Sequence, residues 1–130
     1  VRRAPIVLAC LAAACSRAPP DAPAAARRRF VEIVEALPRV EAEERAWPRP
    51  DALACDERAA ARAREIGQVR AELADLAAKL GPAVDARPAI EAADELVGCA
   101  ACGPEHAARC EAARARIDEA LAAIGKAGLR

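Results

Sequence analysis

Between Asp51 and Gly81-Pro82 the chain carries one long seam, and this seam constrains the fold more than any other feature. Ala52, Cys55, Ala59, Ile66, Val69, Leu73, Leu76 and Leu80 recur at alternating intervals of three and four residues, and only Arg62 breaks the apolar pattern. Such spacing lines one side of a helix and demands a partner helix to cover it. Asp51 can accept from the unpartnered N–H groups at the helix start, and Gly81-Pro82 ends the helix. The opposite side is charged, with Asp75 four residues before Lys79 in the favourable order.

The rest of the sequence supplies partners of the same kind. Thirty-nine of the 130 residues are alanine, Phe30 and Trp47 are the only aromatics, and threonine is absent. Strand-favouring chemistry is scarce and helix propensity is high. A first helix is predicted from about Ala24 to Leu37, with Phe30, Ile33, Val34 and Leu37 on one face, and Pro38 is expected to break or kink it. A polar continuation, Arg39 to Ala46, leads to Trp47-Pro48-Arg49-Pro50, whose prolines force an extended link. A third, shorter helix begins near Pro88 and is expected to bury Ile90, Ala93 and Val97. Pro104 opens a fourth, with Cys110, Ala113, Ile117, Leu121 and Ile124 inward and an end near Gly125 or Gly128. Glu111 with Arg114, and Arg114 with Asp118, are expected to pair on its outer surface.

Short connections make these helices antiparallel neighbours, so the fold class is all-α, an up-down bundle of three to four helices. Alanine seams bury little apolar area, at roughly 25 cal/mol per Å². A thin core of this kind gains from covalent staples.

Residues 1–26 have a different character. Arg2 and Arg3 precede an apolar run, residues 4–14, that is too short to span a bilayer as a helix, and Ala12-Ala13-Ala14 leads to Cys15. The segment resembles the signal of bacterial lipoproteins. That resemblance implies cleavage before Cys15, lipidation of Cys15 and anchorage to the bilayer. Ser16, where aspartate would signal inner-membrane retention, implies an outer-membrane address facing the periplasm. The organisation expected is a signal peptide over 1–14, a lipid-bearing cysteine and Ala/Pro-rich tether over 15–26, and a helical domain over 27–130. An ordinary secretory signal, cut after Ala14 or Ala24, would instead give a secreted or periplasmic protein. The Arg27-Arg28-Arg29 run beyond the tether reads as a solvated or membrane-near collar.

Removing the signal and the lipid-bearing Cys15 leaves Cys55, Cys99, Cys102 and Cys110. An even number in an exported chain points to two disulfides, for which three connectivities exist. If the turn between the third and fourth helices centres near residue 104, Cys99 and Cys110 stand at mirrored levels, which leaves Cys102 for Cys55. A second arrangement pairs Cys55 with Cys110 and closes Cys99 onto Cys102. Two sharper chemistries use the same residues. Cys99, Cys102, His106 and Cys110 offer four ligands to a tetrahedral zinc, and Cys99 with Cys102 forms the spacing of a thiol-redox pair. Covalent haem is excluded, because Gly103 stands where the Cys-x-x-Cys-His signature needs histidine.

Other functional classes find little support. Without Arg2 and Arg3 the chain has 18 basic against 20 acidic side chains, about −2, with the signs interspersed, so it has no nucleic-acid footprint. The only histidine is His106 and the only serine is Ser16, which leaves no Ser-His pair. Glu43-Glu44 and Asp94-Glu95 read as solvated helix surface, and no glycine-rich phosphate loop follows a strand. The expectation is a membrane-tethered, noncatalytic module without a cofactor. Its partners would be the bilayer, through its anchor, and an envelope protein or a second copy of the chain.

Overall fold

A computed structural model of the protein describes residues 22–49 and 51–130; the signal segment, Cys15, the start of the tether and Pro50 lie outside the described residues. Four helices follow in order: α1 (Ala22–Ala46), α2 (Ala52–Leu80), α3 (Arg87–Cys99) and α4 (His106–Lys126), with one 3-10 turn, Gly81–Ala83, between α2 and α3. The bundle is all-α, and no strand occurs among the described residues. The closest-packed pair is α3 with α4; α1 lies on α2 and α4, α3 also covers α2, and α1 meets α3 across the middle. Among the described residues the backbones of α2 and α4 do not approach each other closely.

The first helix is longer than its sequence suggests. It begins at Ala22, so the last residues of the expected tether are helical, and Ala26 is buried. It also continues through Pro38 to Ala46, so of the expected break or kink there is no break. An interior proline removes a hydrogen bond and costs about 3 kcal/mol. Apolar packing before the proline and the pairing of Glu44 with arginines of α2 after it offset that cost. Phe30, Ile33, Val34 and Leu37 are buried before the proline, and Glu41 and Glu44 after it, while Pro38 itself is exposed.

Asp51 caps α2 by accepting from the Ala54 N–H at 2.8 Å, and Gly81 closes it with φ of 59°, which a Cβ would strain. Lys79 and Asp75 pair at 3.0 Å. Of the seam, Cys55, Ile66, Leu73 and Leu76 are buried, while Ala52 is exposed. Between Cys55 and Ile66 the contact with α1 is ionic, so the apolar seam is interrupted there.

The inward face of α3 is rotated from the expected one. Pro88, Ala89, Ala92, Ala93, Leu96 and Cys99 are buried, Ile90 is only half-buried, and Val97 is exposed. Alanines at 89, 92 and 93 share a stripe with Leu96 and Cys99, and the Cys99 disulfide fixes that stripe inward. These small side chains leave room for larger ones such as Phe30, Ile117 and Ile124. In α4, Cys110, Ala113, Ile117, Ala120 and Ile124 are buried, whereas Leu121 is half-buried. The helix begins at His106, two residues beyond Pro104. Arg114 pairs with neither Glu111 nor Asp118. Instead Arg116 reaches Glu119 at 2.9 Å and crosses to Glu91 of α3 at 3.3 Å, because it lies on the side of α4 that faces α3.

The cost at Pro38 generates a prediction. Pro38→Ala restores a donor for the Val34 carbonyl and should raise stability by about 1–3 kcal/mol. In urea the midpoint should rise with the slope unchanged.

Candidate functional site

Cys55, Cys99, Cys102, His106 and Cys110 all lie at one end of the bundle, where α1 ends, α2 begins and the loop 100–105 joins α3 to α4; Cys15 lies outside the described residues. Cys99 is the last residue of α3 and Cys110 lies one turn into α4. The two are disulfide-bonded, with Cα atoms 4.4 Å apart, and both are inaccessible to solvent. Cys102, in the loop, is bonded to Cys55 in the first turn of α2, with Cα atoms 5.9 Å apart. This is the arrangement that mirrored levels in the α3–α4 hairpin favour.

The same bonds bear on the two sharper chemistries. Cys99 and Cys102 are each bonded elsewhere, so the dithiol that a redox pair requires is not assembled. A zinc site on Cys99, Cys102, His106 and Cys110 needs thiolates, and here all three sulfurs are committed to disulfides. His106 opens α4 half-buried, and its Nδ1 has no hydrogen-bond partner. Burial first, and the charge of Arg49 second, hold it below the usual histidine range, so it is neutral at neutral pH. A cleft of about 310 Å³, lined by Gly98, Ala101, Gly103, Pro104, Glu105, His106 and Arg109, opens beside it.

The disulfides are embedded in a network of arginines. Arg49, in the link after α1, donates from Nη2 to the Cys99 carbonyl at 2.7 Å and from Nε to the Ala101 carbonyl at 3.1 Å. Its Nη1 donates to the carbonyls of Trp47 at 2.7 Å and Glu44 at 3.1 Å. The last carbonyls of a helix have no partner within it and carry the negative end of its dipole. One guanidinium therefore finishes both α1 and α3. Burial lowers the Arg49 pKa, partly opposed by Glu44, yet a guanidinium remains charged.

In the last turn of α1, Glu44 is fully buried. Arg58 grips it with two hydrogen bonds, at 2.7 and 3.1 Å, and Arg62 Nε donates at 2.6 Å. Burial is the largest single influence on this carboxyl and disfavours its charge. The two arginines together outweigh it and hold Glu44 below the usual carboxylate range. The Arg58 guanidinium also lies 4.1 Å from the centre of the Trp47 ring, a cation–π contact.

The sequence reading treats Glu44 as surface, and the structure corrects it. The signal lay in α2. A charged Arg62 at an inward seam position requires a buried partner of opposite sign, and Glu44 supplies it. Nothing in the sequence pairs Arg49 with the carbonyls of α3, since that contact depends on how the link is routed.

No group of three or more His, Cys, Asp or Glu side chains placed to hold a metal ion occurs among the described residues. Compared with protein-family models, curated proteins and solved structures, the chain has no match.

Two predictions follow from this geometry. Glu44→Gln leaves two arginines facing a neutral group and should cost about 3 kcal/mol at neutral pH. A carboxyl whose folded pKa is lowered stabilises above its unfolded value and loses that contribution as pH falls through the folded one. The gap between wild type and variant should therefore narrow below about pH 4, read as chemical unfolding at stepped pH. For the disulfides, the closed loops of 47 and 11 residues correspond to about 4 and about 3 kcal/mol of chain entropy. Guanidinium unfolding should find Cys55→Ala with Cys102→Ala the more damaging pair on this account.

Proposed function

We propose that this chain is an exported, lipid-anchored helical module of a bacterial envelope, with a structural or protein-interaction role. The observation that carries the reading is the use of the cysteines. The four that follow Cys15 in sequence are bonded in two pairs, which fits an oxidising compartment. The lipoprotein-like segment ending at Cys15 supplies a route to such a compartment. A domain of alanine seams, stapled at one end, presents helix faces on which another envelope protein or a second copy could dock. No helix among the described residues is long and apolar enough to cross a membrane, so on this reading membrane attachment runs through Cys15.

Mass spectrometry of protein purified from its own envelope tests the reading, with and without reductant. The expected species lacks residues 1–14, carries acyl chains on Cys15 and gains four hydrogens on reduction. A mature form that retains Arg2 and Arg3 would overturn export. Free thiols at Cys55, Cys99, Cys102 and Cys110 would shift the reading to the thiol-redox or zinc-binding alternative.

A further inference from the structure

We propose that the bundle stands upright on the membrane, with the end where α1 begins docked against anionic phospholipid headgroups. This rests on the lipid-anchor reading, which brings the chain to a bilayer. The antiparallel topology divides the charged residues between two ends. The end that receives the tether comprises residues 27–34, 66–93 and 116–130, with nine basic and seven acidic side chains. The cysteine end, residues 35–65 and 94–115, has eight basic and twelve acidic. By halves a nearly neutral chain divides into about +2 and −4, but Arg70 and Arg130 of the tether half pair across the boundary with Asp94 and Glu35, so the contrast rests on the cations and carboxylates left unpaired.

Ion pairing locates the unpaired charge. At the tether end every carboxylate but that of Asp118 lies within 4.0 Å of a basic group. Exposed Arg27, Arg28 and Lys126 have no such partner among the described residues. Arg28 lines one cleft with Leu129 and Arg130, which places the end of α4 beside the start of α1. At the cysteine end, unpaired Asp51, Asp56, Glu57, Glu105 and Glu111 outnumber unpaired Arg49, Arg64 and Arg114. Headgroup phosphates supply the anions that the tether end lacks, and the same negative surface repels the cysteine end. Arg27 follows Cys15 by twelve residues, so an anchored chain keeps these cations within reach of the headgroups.

The test measures partition of the purified mature protein onto vesicles of phosphatidylcholine alone or mixed with phosphatidylglycerol. Each cation near an anionic surface is worth about fivefold, so three should give a preference of about a hundredfold for the mixed vesicles, weakened by salt. Acylation of Cys15 raises binding to both vesicles alike. Absolute binding thus reads the anchor, and the ratio reads the charged end. Arg27→Glu, Arg28→Glu and Lys126→Glu together should abolish the ratio, while Asp56→Asn, Glu57→Gln and Glu111→Gln should leave it in place.

Trp47, the only tryptophan, gives an independent readout of orientation. It lies about 30 Å from Arg27 along α1 at 1.5 Å per residue. A quencher attached to the headgroups should reach it weakly in wild type on the mixed vesicles and more strongly in the triple-Glu variant. Circular dichroism checks that the variants are folded, and the salt series on wild type needs no variant. A vesicle ratio near one, a ratio untouched by the triple-Glu change, or equal quenching of Trp47 in both proteins overturns the proposal.

Discussion

A carboxylate shut off from water needs its charge answered at close range, and Glu44 is answered twice. Arg58 and Arg62 lie one turn apart on α2, so both reach one group on α1. Burying an ion costs several kcal/mol, and geometry of this quality is needed to recover it. The contact fixes the rotation of α1 against α2, because a turn of either helix would leave a charge without its partner. It also explains why α1 runs past Pro38. The helix must remain helical for two more turns to deliver Glu44 to α2.

The arginine and disulfide chemistry is concentrated at one end, and the alanine content of the chain gives a reason. Small side chains bring helices close but bury little area each. The largest buried apolar groups, Phe30, Leu73, Leu96, Ile117 and Ile124, are spread thinly over four helices. At the cysteine end, polar and covalent contacts take over. Two disulfides, the Arg49 bonds to four carbonyls and the Glu44 cluster all fall where α1 and α3 end and α2 and α4 begin, in those helix ends and in the link and loop that join them.

Much of the architecture could be read from periodicity and punctuation. Asp51 and Gly81 bound α2 where capping chemistry places them, and the spacing of Cys99 and Cys110 about a proline-containing turn set them opposite one another. What periodicity could not supply is phase in an alanine-rich helix. In α3, both Ile90 with Val97 and Ala89 with Leu96 make plausible stripes, and hydrophobicity alone favours the bulkier one. The disulfide at Cys99 selects the other. The ionic cluster was hidden for a related reason. Adjacent glutamates on a helix usually face solvent, and only the intrusion of Arg62 into the seam of α2 betrayed that one of them did not. Arg49 carried no signal at all, since its acceptors are backbone carbonyls distant in sequence.

The two disulfide loops overlap, because Cys99 lies inside the ring closed by Cys55 and Cys102. Nearly all of α2, all of α3 and the first turn of α4 therefore belong to one covalent network, and α1 is the one helix wholly outside it. Tension applied through the chain that precedes Ala22 is not shared by the crosslinks. It loads α1 along its axis, against packing and exposed pairs such as Arg29 with Glu72. The buried grip on Glu44 lies at the opposite end of that helix and is the last to feel the pull. Mechanically, the molecule is a ring-locked body with a single detachable stave, and the stave is the part that the tether holds.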